Sequence, residues 1–163
     1  MKKPTLLLAA ATAAVLCLAS IAHAADLSRS DRTFFEKAAK SGMKEVMVSE
    51  AALLHLTSAP VKEFAQMMVT HHTKANEELR SLALAKGVTL PPKEDKVAKK
   101  WRENTKDVDD EYLKEMVDDH EDAIDLFEDA SKSADSDIAA FAQKTLPTLR
   151  SHLEIAKAHK KSH

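Results

Sequence analysis

The sequence predicts an all-α protein, an antiparallel bundle of four long helices. Three observations point there. The 163-residue chain holds only two glycines, Gly42 and Gly87, and its aromatic content is 4%. Ala, Leu, Lys and Glu dominate, which is a helix-forming composition. Apolar residues recur at steps of three and four, and no alternating run of β-branched residues offers a sheet.

The first residues read as an address. Lys2 and Lys3 precede an apolar run from Thr5 to Ser20, and Ala22-His23-Ala24 puts small residues at a cleavage site. This is the pattern of a secretory signal peptide, residues 1–24, cut after Ala24. The run is too short for a membrane span, and none is expected in the mature chain. Cleavage removes Cys17 and two positive charges, so the formal net charge moves from −2 to −4. The exported chain then has no disulfide and no thiolate. Its mild acidity argues against nucleic acid as a partner. The expected location is the periplasm, with attachment to the outer membrane left open. Residues 25–158 are expected to form a single domain, followed by a basic flexible tail, 159–163.

A first helix is expected over 30–57. Phe35, Ala39, Val46 and Leu53 lie along one side, with Ala38, Gly42, Ser49, Ala52 and Leu56 beside them. Ser58 is placed as an N-cap, with Pro60 in the first turn and Glu63 near capping-box distance. The second helix is expected to end near Lys86, where Gly87 stops it. The paired prolines Pro91 and Pro92 make a loop. A short helical link is expected over 96–105, a third helix over 108–133, and a fourth from Ser136 onward. Phe64-Ala65-Gln66 recurs as Phe141-Ala142-Gln143, which suggests two related hairpins. Pro147 removes a hydrogen bond inside the last helix and predicts a kink there.

The chemistry lies in the histidines. Met68-Val-Thr-His-His72 is echoed by Met116-Val-Asp-Asp-His120. On the second helix the apolar walk is Phe64, Met68, His72, Ala75, Leu79 and Leu82. On the third it is Leu113, Met116, His120, Ala123, Phe127 and Ala130. Each stripe is apolar except for one His. His71 falls instead with Lys74 and Glu78 on the wet face. On the last helix Ala142, Leu146, Leu149, Leu153 and Ala156 form the core, with His152 at its edge. Glu45 stands at the edge of the first helix's stripe.

Three helices thus offer one His each and the fourth offers a carboxylate. Buried polar groups need partners, so these four are expected to meet, with or without a metal. Residues four apart stack on one helix face, so Met68 and Met116 are candidate soft ligands beside His72 and His120. Met43 and Met47 add thioethers on the first helix. Thioether with imidazole suits copper, although Met is also ordinary core filler. His159 and His163 belong to the basic tail, and His55 carries no signal. The acidic run from Asp107 to Asp129 is expected to face water, to draw cations and to raise the pKa of a nearby His.

Enzyme motifs are missing. A carboxylate-bridged di-iron bundle uses Glu-x-x-His, which occurs nowhere in this chain, and there is no phosphate loop or nucleophile elbow.

Several stretches together resemble a family of exported bacterial proteins, domain of unknown function 4142. They are GMKEV (42–46), VKEFAQMMVTHHTKANEEL (61–79), GVTLP (87–91), YLKEMVDDHEDAIDLFE (112–128) and TLPTLRSHLEIAKA (145–158). The resemblance implies a ferritin-like four-helix bundle and secretion. It places the family's recurrent positions at Glu45, His72, His120 and His152, and Pro147 in its Leu-Pro signature. The family usually has Asp where this chain has His71. MMVTHHTKA alone is similar to another bundle family, domain of unknown function 305, whose His and Met residues are linked to copper.

The expected function is therefore an exported, non-catalytic bundle that binds a transition metal through Glu45, His72, His120, His152, Met68 and Met116. Copper is favoured, with zinc and iron open, and no organic cofactor is expected. The alternative is a structural or envelope-stress protein whose His–Glu cluster is a hydrogen-bonded core without metal. A ferritin-like oxidoreductase comes third. A homo-oligomer or an envelope partner remains open.

Overall fold

The computed structural model describes residues 27–93, 96–103 and 106–162. The expected signal peptide and Cys17 lie outside the described residues. Among the described residues five helices follow one another: α1 (Arg29–Ala52), α2 (Ala59–Ala85), α3 (Lys96–Glu103), α4 (Val108–Ala130) and α5 (Ser136–Ser162). None is long and apolar enough to cross a membrane.

The ends of the helices set the topology. Asp109 at the start of α4 meets Thr57 and Ser58 just past the end of α1. Ser133, past the end of α4, donates to Asp31 in the first turn of α1 at 2.7 Å. Lys86, past the end of α2, pairs with Asp135 and Asp137 at the start of α5. So α1 is antiparallel to α2 and α4, and α5 is antiparallel to α2 and α4. The chain from Lys86 to Asp107 crosses the full length of the bundle and carries α3 on the way. One long crossover between two hairpins is the ferritin-like arrangement, and the four long helices answer the expected bundle.

Local chemistry differs from expectation at three joints. Ser58 makes no side-chain cap bond. The Asp109 carboxylate takes its place, accepting from Thr57 N at 3.0 Å, Thr57 Oγ1 at 2.6 Å and Ser58 N at 3.0 Å. An ionised acceptor satisfies helix N-terminal donors better than a neutral hydroxyl, and here it also ties α4 to the α1–α2 turn. The first helix ends at Ala52 rather than Thr57, in a turn over 53–55. The last helix continues beyond Ala158 to Ser162, through the segment expected as a flexible tail. Lys160 and Lys161 carry positive charge into its last turn, where the helix dipole favours it. The ring of His159 also lies 6.3 Å from that of Phe64.

The apolar core falls into two halves. One contains Met47, Val48, Leu56, Val61, Phe64, Met68, Tyr112, Leu113, Met116 and Leu153, and Trp101 from α3 plugs it. The other contains Phe34, Phe35, Leu79, Phe127, Ile138, Phe141, Leu146 and Leu149. Of the expected stripe residues, Val46, Leu53, Ala75 and Leu82 are only half-buried, and the rest are buried. Phe64-Ala65 and Phe141-Ala142 are buried at matching depths of their helices, with both glutamines outside. Pro147 sits on the exposed side of α5. Trp101 is held edge-on to Tyr112 at 6.0 Å, and His55 Nε2 lies 2.9 Å from the Arg102 carbonyl, where it donates and pins α3.

Candidate metal centre

The seam between the two apolar halves is polar, and each long helix contributes to it. Along α2, His72 falls between Met68 of one half and Leu79 of the other. Along α4, His120 falls between Val117 and Ala123, and along α5 His152 falls between Leu149 and Leu153. Glu45 occupies the same level on α1. All four are buried; Glu45 is 1% exposed and His120 1%. The period of the stripes explains this. Each His replaces one apolar residue in a continuous core-facing row, so it enters the core at the depth its row dictates.

One ring nitrogen from each of His72, His120 and His152 can be chosen so that all three lie within 4.8 Å of one another. His120 Nδ1 is 2.8 Å from the Met116 carbonyl. A carbonyl only accepts, so Nδ1 carries the proton and the neutral ring presents bare Nε2. That Nε2 faces His152 Nδ1 at 3.3 Å. His152 Nε2, on the other edge of its ring, meets His71 Nδ1 at 2.9 Å. His72 Nε2 is buried with no hydrogen-bond partner among the described residues.

Glu45 lies on the opposite flank. Its Oε1 is 3.9 Å from His120 Nδ1, which is already bonded to Met116. Neither Glu45 oxygen has a hydrogen-bond partner among the described residues. Asp119 stands nearby, held by Lys44 at 2.7 Å, and Lys44 also reaches Glu115 at 3.0 Å. Burial, and then the negative charge of Asp119, hold the Glu45 carboxyl well above the usual carboxylate range. Burial also raises Asp119. A protonated Glu45 can donate to Asp119, whereas two ionised carboxylates can only repel.

The histidines move the other way. Burial lowers His120 to about 4. Burial, then the neighbouring His120 and His71, lower His152 to about 3. Burial first, and then its three His neighbours, push His72 well below its ordinary value. The acidic run was expected to raise a nearby His. It does not, because its carboxylates mostly face solvent while the imidazoles sit between two apolar layers, so desolvation wins. All three rings are therefore neutral near pH 7, with lone pairs available to a cation.

Met68 and Met116 are fully buried in the apolar half that also holds Phe64 and Leu113, one turn from their histidines. The sequence missed His71. It is exposed, as its helical phase predicts, yet its ring meets that of His152 edge to edge, the two planes 16° apart and the centroids 5.2 Å apart. The missed signal was the edge position of His152, which leaves one side of that ring facing the α2–α5 seam. A cavity of about 40 Å³ opens there, lined by His71, His72, His152, Asn76, Gly42 and Thr148. A methyl on Gly42 would overlap the Asn76 side chain, so glycine is what lets Asn76 reach this seam.

Fold and site together define a helical bundle with a buried three-histidine centre. The chain belongs to the family described as Domain of unknown function (DUF4142), whose model matches residues 18–159. Among solved structures it is similar to the DUF305 fragment from Deinococcus radiodurans, with a TM-score of 0.73 and 10% identity. The match covers 84% of this chain and 99% of that one, and at this identity it speaks for the fold. No curated protein matches.

Proposed function

We propose that this protein is an exported, non-catalytic metal-binding bundle whose ligands are His72, His120 and His152, with Glu45 at the edge of the site. The observation that carries this is the unpartnered His72 Nε2 in a cluster of neutral buried imidazoles. Leaving such a group without a partner costs about 1–3 kcal/mol, and a cation removes that cost. The spacing agrees. Bonds of about 2.0–2.1 Å in a tetrahedral site set two imidazole nitrogens about 3.4 Å apart, and His120 Nε2 and His152 Nδ1 are 3.3 Å apart. Imidazole ligands suit copper, zinc, iron and nickel, and copper stands highest in the affinity order of divalent ions. Copper is therefore the favoured ion, with Met68 and Met116 as optional soft ligands for Cu(I). Apolar layers above and below keep water away from the ion. His120 is oriented by its bond to the Met116 carbonyl.

A second reading has its own observation. Donation from His71 to His152, from His152 to His120, and from His120 to the Met116 carbonyl closes three contacts without any ion. That is the hydrogen-bonded core of a structural or envelope protein. It leaves His72 Nε2 unpartnered among the described residues, which is why the metal reading is preferred.

The test is metal analysis of the tag-free mature protein, with thermal melts in Cu(I), Cu(II), Zn(II) and no metal. About one ion per chain and a melting temperature that climbs with that ion are expected. His72→Ala and His120→Ala should each abolish both. Retained binding in both variants, or none in the parent, refutes the proposal.

A further inference from the structure

The hydrogen bond between exposed His71 and buried His152 has two possible directions, and they have opposite consequences inside the bundle. The 2.9 Å separation of His71 Nδ1 and His152 Nε2 means that one of them carries the shared proton. If His71 donates, neutral His152 must carry its own proton on Nδ1. It then donates to bare His120 Nε2 at 3.3 Å, and the chain of rings is satisfied. If His152 donates, its Nδ1 is bare. Two bare nitrogens then face each other at 3.3 Å, an arrangement that repels unless a cation lies between them.

We propose that His71 is a positioning residue that sets the tautomer of His152: it donates in the metal-free protein and accepts when the centre is loaded. This rests on the metal reading above and adds to it the residue that controls one ligand. The protons balance. The His152 Nδ1 proton leaves to solvent as the ion takes its place. His71 passes its Nδ1 proton to His152 Nε2 and takes one from solvent on its exposed Nε2. The pair carries the same number of protons before and after, and no net proton is gained or lost.

The geometry favours this role over simple surface packing. The rings of His71 and His152 are nearly coplanar in orientation, 16° apart, so the bond fixes the plane of the His152 ring as well as its proton. His71 sits at the mouth of the cavity that touches His72 and His152, where its outer nitrogen can exchange with water. A ligating His usually donates its second ring nitrogen to such a partner, and loss of that partner typically costs 10–100-fold in metal affinity.

The test compares the mature protein with His71→Leu and His71→Asn. Zn(II) and Cu(I) are the probes, because both are diamagnetic and permit imidazole ¹⁵N NMR. In the parent, His152 should be protonated on Nδ1 without metal and on Nε2 with it. His71→Leu should lower affinity by about 10–100-fold. His71→Asn, whose amide can both donate and accept near the position of Nδ1, should restore most of it. Both variants lie on the surface, and equal melting temperatures without metal would confirm that they fold. A His152 tautomer that does not change on loading, or equal affinity in His71→Leu, overturns this inference alone. A parent that retains neither ion overturns the metal reading together with it.

Discussion

Acidification from pH 7 to pH 5 should destabilise the metal-free protein, and the buried site fixes the size of the effect. His120 and His152 stay neutral in the fold down to about 4 and about 3, and His72 is lowered well below its ordinary value. In the unfolded chain each titrates near 6.5. Between those limits the unfolded state binds more protons, so stability rises with pH and falls as pH drops. At pH 5 His120 and His152 each cost about 2 kcal/mol relative to pH 7, or about 4 kcal/mol together, and His72 adds to the same side. This figure depends on the gap between pH 5 and 6.5, and hardly on how far each pKa is lowered. Glu45 has the opposite sign, since its folded pKa is raised. It binds its proton more readily folded than unfolded, so its cost grows as pH climbs above the ordinary carboxyl range and is relieved on acidification. Asp119, also raised, shares that sign. Three imidazoles outweigh one fully buried carboxyl, and a net loss of stability is expected. Urea titrations at pH 7, 6 and 5 would measure it. Glu45→Gln removes the opposing share, so the loss should steepen toward the full contribution of the histidines. Stability that holds or rises on going to pH 5, or a Glu45→Gln profile no steeper than the parent's, would refute the assignment of neutral rings and a protonated carboxyl.

Other outcomes follow from particular contacts. Asp109→Ala removes the acceptor for three donors at the α1–α2 turn; it should cost about 1–2 kcal/mol by chemical denaturation. Tyr112→Phe breaks the buried 2.7 Å bond to Ser49 and should cost about 1 kcal/mol in the same assay. Met68→Leu and Met116→Leu should each cost less than about 1.5 kcal/mol, as volume-conserving core changes do. A fall of more than about tenfold in Cu(I) affinity, by competition with a chromophoric chelator, would make either thioether a ligand.

Much of the architecture was legible because helix faces have a fixed period. Steps of three and four placed His72 and His120 inside the bundle and Glu45 and His152 beside the core, without knowledge of which helix packs on which. Local sequence placed the start of α2 correctly, with Ser58 at the N-cap position. It could not show the acceptor at that turn, Asp109, about fifty residues away in the chain. The basic end of α5 was read less well, since its sequence reads as a tail although the helix extends through it.

The sequence by itself determined that four helices form, which residues face inward, and that two imidazoles enter an apolar interior with a third and a carboxyl at its edge. These are local properties, set by periodicity and by the cost of burying each group. Only the tertiary structure decided that the four meet at one level, with an apolar half of the core on either side. It also decided that burial outweighs the acidic surface in setting the histidine pKa values. His71 marks the boundary between the two kinds of knowledge. Its helical phase correctly places it on the surface. Its partnership with His152 depends on how closely α2 and α5 approach, a distance set by packing and written in no single helix.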